Sequence, residues 1–132
     1  VIGQNDHMIS VNSILEVDLT GQCNAESISG SQFSGTGGQV DFVRGAYRSK
    51  GGKSILAFYS TAKGGSISRI VPQLKHTSVT TPRVDVHYLA TEHGIVCLKG
   101  KSTEERAIAI AGLAHPNFRE DLMRKAEEMG LL

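Results

Sequence analysis

A glycine-rich run directly before a helix-like segment is the part of this sequence whose residue types best suit chemistry. Gly35, Gly37 and Gly38 place three glycines within four residues, and apolar side chains recur at helical spacing from Val40 onward. A glycine turn entering a helix exposes several backbone N–H groups beside the partial positive charge of the helix start. Such a turn suits a phosphate, a carboxylate or a developing oxyanion.

Known nucleotide-binding motifs do not account for this glycine-rich run. A dinucleotide fingerprint would need a third glycine where Val40 stands. A P-loop would need an earlier glycine ahead of Gly52-Lys53-Ser54, and this run leads into a strand-like segment rather than a helix. Glycine-rich turns between strands and helices are also common without any ligand. An anion site and a purely structural turn are therefore both open at this point.

The elements around the run predict an α/β fold, an open mixed sheet with flanking helices. Residues 8–33 read as β-rich with a hairpin turn at 20–24, and residues 54–60 and 95–98 read as strands. The first helix is predicted over 40–48, with Asp41 interpreted as its cap rather than as a site residue. Two further helices are predicted near the end, the first from a Ser102/Glu105 capping box through Ala114, and the second from Pro116 to Gly130.

Composition limits the class of protein. The chain has 132 residues, which fits one domain, and its formal net charge of +1 gives no electrostatic case for nucleic acid. No segment is long and apolar enough to cross a membrane, and the histidines and cysteines lack metal-ligand spacing. Cys23 and Cys97 are expected to be reduced core residues of a cytoplasmic protein. The start at Val1-Ile2-Gly3 without methionine suggests the interior of a longer protein.

The motifs together resemble the C-terminal part of the acetyl-CoA hydrolase/transferase family of CoA-transferases. Within that family, the 4-hydroxybutyrate and butyryl-CoA:acetate CoA-transferase branch is the most similar. The matching runs follow the family order over nearly the whole chain, and the ordered set is far more specific than any single run. They are residues 12–13, 16–22, 37–46, 60–65, 67–72, 80–83, 91–94, 99–102 and 114–116.

The resemblance implies a two-step acyl exchange in which a glutamate attacks an acyl-CoA thioester and later carries CoA as a glutamyl thioester. It implies that the backbone N–H of Gly38 donates to the oxyanion, and that Gly37, Gly38, Gln39 and Lys63 contact CoA. Glu92 matches a carboxylate that shapes the acid-binding end of the site by holding an arginine from another domain. Without the resemblance, Lys63 reads equally well as a surface lysine, and Glu92 as a solvated or capping residue.

The nucleophilic glutamate of this family matches nothing in the chain, and Glu16 lies in a matching run that is not the nucleophile motif. We therefore expect an N-terminal domain of the same protein to carry it, and we expect the chain alone to be inactive and to expose an apolar docking face. No resident cofactor is implied, since CoA acts as substrate, and the whole protein is expected to be a homo-oligomer. Acyl-CoA hydrolysis on the same scaffold and a non-catalytic acyl-CoA- or anion-binding module are the alternative functions.

Overall fold

A computed structural model describes residues 1–28, 31–32 and 34–132 of the chain. The helices are α1 (Gln39–Arg48), α2 (Thr103–Ala111) and α3 (Pro116–Glu128). The strands, in chain order, are β1 (Ile9–Ser13), β2 (Glu16–Asp18), β3 (Cys23–Asn24), β4 (Ser27–Ile28), β5 (Ser31–Gln32), β6 (Lys53–Ala57), β7 (Thr61–Ala62), β8 (Ile67–Ser68), β9 (Ile70–Val71), β10 (Tyr88–Thr91) and β11 (Gly94–Cys97). The predicted α/β class is confirmed, while the part of the predicted β-rich region at residues 29, 30 and 33 lies outside the described residues.

The main sheet is mixed and has the strand order β1-β6-β10-β11. The strands β1, β6 and β10 run parallel, and β11 pairs antiparallel with β10. A smaller sheet has the order β3-β2-β9, and two hairpins are formed by β4 with β5 and by β7 with β8. Because the three parallel strands point the same way, their carboxyl ends at Ser13, Ala57 and Thr91 lie along one edge, where α/β proteins commonly place ligands.

The helices cover only one face of the main sheet. On the covered face the alternate residues Ser10, Leu56 and Leu89 are buried, and Leu56 and Leu89 join a core that also contains Val43 of α1 and Ile110 of α2. On the other face, Ile9, Val11 and Ile95 leave 62%, 63% and 56% of their surface exposed. Ile55 and Tyr88 lie between them in register and are half-buried. The expected exposed apolar face is therefore present, on the side of the sheet away from the helices.

The C-terminal helices follow the predicted signals closely. The Ser102 and Glu105 side chains form the capping box that opens α2, and Pro116 occupies the first turn of α3. The helix α2 ends at Ala111 rather than Ala114, because the chain tightens into successive i→i+3 bonds at Leu113 and Ala114 before the proline. The apolar residues that recur at helical spacing in these two helices pack in or against the core, except that Met129, the residue capping the end of α3, stays 38% exposed.

Two predictions about individual residues are wrong. Asp41 does not cap α1, because the capping position belongs to Gly38, which has no side chain, and Asp41 is the third residue of the helix, within its first turn. Cys23 is fully buried as predicted, and this burial raises the pKa of its thiol well above the usual range. Cys97, by contrast, is only half-buried, because it lies on the uncovered face of the sheet in β11.

Candidate functional site at the carboxyl edge of the sheet

The glycine-rich run forms the N-terminal end of α1, as the sequence predicts. Gly37 has φ +57°, a left-handed conformation that favours glycine, whereas Gly38 has φ −94°, which any residue adopts. The hydrogen-bond ladder of the helix starts where the Phe42 N–H donates to the Gly38 carbonyl oxygen at 3.1 Å. The amides that precede Phe42 are therefore left out of the helix ladder. They form the donor set that an oxyanion or phosphate would use.

The Gln39 side chain fixes this helix end against the sheet. Its Nε2 donates to the Ser13 carbonyl oxygen at 3.1 Å, and its Oε1 accepts from the Thr81 hydroxyl at 2.7 Å. Both polar atoms of the side-chain amide are thus engaged within the protein. The side chain of Gln39 therefore positions the start of α1 at the end of β1, and the predicted contact of Gln39 with CoA stays a prediction.

Glu92 lies in the turn after β10, at the same edge of the sheet. Its Oε1 accepts a hydrogen bond from the Ser60 backbone N–H at 2.8 Å. Desolvation acts to raise the pKa of Glu92, but the hydrogen bonds from Ser60, the backbone of Glu92 itself and the nearby His93 together outweigh it, so the pKa lies below its ordinary value. Glu92 is therefore an ionised carboxylate at neutral pH, held at one point by main chain.

A cavity of about 390 Å³ opens beside Glu92. It is bordered by the ends of the three parallel strands and by the cationic side chain of Arg69. Its lining residues are Ser13, Ile14, Ala57, Phe58, Tyr59, Arg69, Ala90, Thr91 and Glu92. Its largely apolar wall, with two opposite charges, is suited to a short carboxylic acid or to the acyl group derived from it.

Lys63 lies in a short 3-10 turn between β7 and β8. Its φ of +49° is left-handed, and Gly64 and Gly65 after it have φ of +67° and +92°. A left-handed backbone is strained for lysine and persists where the surroundings hold it, which is a feature of ligand-binding turns. The exposed Lys63 side chain borders a second cavity of about 270 Å³, to which Arg69 also contributes.

The predicted site residues are brought to one end of the molecule by shared neighbours. Ser13 accepts the hydrogen bond from Gln39 at the glycine-rich loop and also lines the Glu92 cavity. Arg69 lines both the Glu92 cavity and the Lys63 cavity. Sequence reasoning placed Arg69 only within a matching run, although a lone arginine between two isoleucine-containing strands was a usable signal of a cation close to the core.

Three other carboxylates of the chain have structural partners. Glu16 accepts from the Asn24 side chain at 3.1 Å, Glu26 accepts from the Thr80 hydroxyl at 2.6 Å, and Glu105 closes the capping box of α2. Within residues 1–28, 31–32 and 34–132, no group of histidine, cysteine and acidic side chains could hold a metal ion. No helix in that part of the chain is long and apolar enough to span a membrane.

Comparison with known proteins identifies the family. Residues 1–126 match the profile of the acetyl-CoA hydrolase/transferase C-terminal domain. The succinyl-CoA:cyclohexane-1-carboxylate CoA transferase of Geobacter metallireducens is 52% identical over 97% of this chain and 30% of its own length. The 4-hydroxybutyrate coenzyme A transferase of Clostridium kluyveri is 54% identical over 95% of this chain and 29% of its own length.

A solved structure shows the same fold. The crystal structure of RipA from Yersinia pestis superposes with a TM-score of 0.94 at 55% identity, over 99% of this chain and 30% of the RipA chain. This chain thus spans about 30% of the length of the relatives that it matches. The profile match and these identities show that the chain belongs to the acetyl-CoA hydrolase/transferase family and corresponds to the C-terminal domain of its members.

Proposed function

We propose that the protein to which this chain belongs transfers CoA between a short-chain acyl-CoA and a carboxylic acid, with 4-hydroxybutyrate, butyrate, acetate and succinate as candidate acids. The chain supplies the C-terminal domain, and an N-terminal domain supplies the nucleophilic glutamate. Among the described residues, the carboxylates Glu16, Glu26 and Glu105 are engaged in structural hydrogen bonds. CoA is a substrate in this proposal, and no resident cofactor is required.

The chemistry of this exchange is covalent at each stage. The glutamate attacks the thioester carbon, and the tetrahedral oxyanion collapses to a mixed anhydride as CoA leaves as a thiolate. The thiolate then attacks the glutamyl carbonyl, which gives a glutamyl-CoA thioester and releases the first acid. The second acid reverses these steps and leaves as a new acyl-CoA. Every stage forms an oxyanion, so fixed N–H donors beside the reacting carbonyl lower each barrier.

One observation carries the proposal: donors for an oxyanion and a charged cavity for an acid occur at the same edge of the sheet. The Gln39 side chain ties the amides at the start of α1 to Ser13, and Ser13 lines the cavity that also contains Glu92. In this proposal the Gly38 N–H donates to the oxyanion, while Glu92 organises the acid end. Lys63, at the neighbouring cavity, takes the phosphate or thioester region of CoA.

The uncovered face of the main sheet supports the proposed second domain. Sheets with parallel strands are normally covered on both faces, and here Ile9, Val11 and Ile95 remain exposed on one of them. The chain spans about 30% of its relatives, so the remaining length of the protein is the occupant that we assign to this face. We further propose a cytoplasmic homo-oligomer of the complete protein.

The proposed function is tested with the full-length protein and with a polypeptide containing only these 132 residues. The full-length protein should convert butyryl-CoA to acetyl-CoA in the presence of acetate, and the shorter polypeptide should not. Turnover by the shorter polypeptide would refute the claim that the nucleophilic glutamate lies outside these residues. Acyl-CoA consumption that is independent of the acceptor acid would identify the hydrolase alternative. Binding of CoA without turnover by the full-length protein would identify a non-catalytic module.

A further inference from the structure

Arg69 lies between β8 and β9, and its main chain is fixed on both sides. Its N–H donates to the Ser60 carbonyl oxygen at 2.8 Å, and its carbonyl oxygen accepts from the Val17 N–H at 3.0 Å. The same Ser60 uses its own N–H to hold the Glu92 carboxylate. The backbones that carry Arg69 and Glu92 are therefore connected through one residue, which places both side chains at the same cavity.

The Arg69 side chain has unused hydrogen-bonding capacity at this place. Its Nε is buried and has no hydrogen-bond partner among the residues that the structure describes. Within the same residues, no carboxylate lies within ion-pair distance of its guanidinium. A buried donor without a partner costs about 1–3 kcal/mol. The guanidinium belongs to a residue that lines the cavity, and its planar set of N–H donors is suited to an incoming anion with two oxygens.

The charges around the cavity indicate which anion this is. Glu92 is an ionised carboxylate at its rim, so a second carboxylate would be repelled unless a cation offsets that charge. Among the described residues that line the cavity, Arg69 is the one with a cationic side chain. It also borders the Lys63 cavity that we assign to CoA, so it lies where an acid and the thioester would meet.

We infer that Arg69 binds the carboxylate of the acid substrate through its guanidinium, opposite Glu92. This inference rests on the proposed CoA transfer and adds to it a recognition residue within this chain. The family resemblance implied that an arginine of another domain serves the acid end, whereas the geometry provides a cation from the C-terminal domain itself. The contact is a charge-assisted hydrogen bond, and no covalent bond to Arg69 is formed or broken.

The test compares Arg69→Lys and Arg69→Ala in the full-length enzyme by steady-state kinetics at varied acyl-CoA and acid concentrations. Loss of a hydrogen bond to a charged group should raise the KM for the acceptor acid by about 10- to 100-fold in Arg69→Ala. The KM for acyl-CoA, whose thioester is neutral, should change by less than about threefold. Added guanidinium ion should restore part of the acid use in Arg69→Ala and none in the wild type.

Arg106→Ala is the matched control, because Arg106 is another half-buried arginine whose Nη1 donates to the Arg83 carbonyl oxygen at 3.0 Å. It should lower stability and leave the KM for the acid unchanged. If Arg69→Ala does not fold, Arg69→Lys keeps the charge and should still raise the acid KM, since ammonium cannot replace the planar fork. An unchanged acid KM in a folded Arg69 variant overturns the inference, while absent turnover in the wild type overturns the proposed function instead.

Discussion

The carboxyl edge of the main sheet and the C-terminal pair of helices treat their polar groups in opposite ways. In the helical pair, Ser102 and Glu105 satisfy each other's backbone N–H groups, and His115 Nδ1 accepts from the Asn117 N–H at 3.1 Å at the start of α3. At the sheet edge, the amides at the start of α1 have no side-chain cap, and Arg69 Nε has no partner among the described residues.

Backbone strain separates the two regions in the same way. Gly130, just after α3, takes φ +73°, where glycine ends a helix at little cost. Lys63 takes φ +49° with a full side chain, in a turn where glycines occupy the next two positions. The helical pair therefore satisfies its hydrogen-bond donors internally and places glycine where the backbone is left-handed. The carboxyl edge of the sheet keeps unpaired donors and a strained lysine. The difference indicates where a ligand completes the structure, and each prediction below tests one side of it.

Gly38→Val in the full-length enzyme is expected to have the largest effect on turnover. Gly38 has φ −94°, and an added Cβ would lie 3.4 Å from the Phe42 ring, so the fold should accept the change, at a cost of about 1 kcal/mol because valine caps a helix less well than glycine. The branched side chain would, however, crowd the approach of the thioester oxygen to the amide. Losing one oxyanion donor typically lowers kcat by about 10²–10³. Turnover and thermal unfolding of the same preparation measure the two effects.

The matched control for this change is Gly130→Val, at a glycine in the helical region. Its left-handed φ makes a side chain costly by about 1–2 kcal/mol. Stability should fall, while kcat per folded enzyme should remain that of the wild type. If Gly38→Val retains wild-type turnover, or if both variants lose turnover equally, the contrast between a ligand-binding edge and a structural helical pair does not hold.

Glu92→Gln is expected to impair one half of the reaction selectively. The glutamine amide has a similar shape but cannot hold the guanidinium of the expected arginine from the other domain as strongly as a carboxylate does. Formation of the enzyme-CoA thioester from acyl-CoA should remain largely intact, and formation of a new acyl-CoA from the acceptor acid should slow by about 10-fold or more. Rapid-quench measurement of the two half-reactions separates them. Equal losses would indicate a structural role, and no loss would make Glu92 an ordinary solvated residue.

The pH dependence of the wild-type acceptor half-reaction provides a second measurement on Glu92. The hydrogen bonding from Ser60 favours the ionised form and lowers the pKa in the folded state. The stabilisation that this interaction gives is therefore present above the unfolded value of about 4.3 and is lost as the pH falls through the lower folded value. The rate of the half-reaction should therefore not fall through protonation of Glu92 between neutral pH and about pH 5.

Lys63→Gly is expected to change stability and substrate use in opposite directions. Glycine adopts the left-handed φ of +49° without strain, so the free energy of unfolding should rise by up to about 1 kcal/mol. Loss of the ammonium should raise the KM for acyl-CoA by about 10-fold, the equivalent of 1.4 kcal/mol. The KM for the acid should stay unchanged. An unaltered acyl-CoA dependence would show that Lys63 is a surface lysine.

The sequence predicted the helical region better than the site edge, and the reason is physical. Helix signals are local, so Ser102, Glu105 and Pro116 could be assigned from spacing alone and are confirmed. The site depends on contacts across the chain, such as Gln39 with Ser13 and Ser60 with Glu92, which are 26 and 32 residues apart. No local pattern carries those contacts.

The roles that the family resemblance implies for the site residues stay predictions. The glycine-rich helix start was predicted correctly because its signal is local. Asp41 was misassigned as a cap because the capping position is three residues earlier, at a glycine. The left-handed backbone of Lys63 and the buried Nε of Arg69 are tertiary features. Neither had a signature in the sequence beyond neighbouring glycines and isoleucines.

Ser102→Ala should have the smallest effect on function and a clear effect on the helical region. The Ser102 hydroxyl accepts from the Glu105 N–H at 3.2 Å, and removing it leaves one donor at the start of α2 without its cap. Loss of a helix cap typically costs about 1 kcal/mol. Urea unfolding should therefore show a lower midpoint, while kcat and both KM values stay at wild-type levels. Lys99, Gly100 and Lys101 lie just before this helix. A raised KM for acyl-CoA would therefore show that the substrate site reaches the helical pair, and it would contradict the division between a structural region and a ligand-binding one.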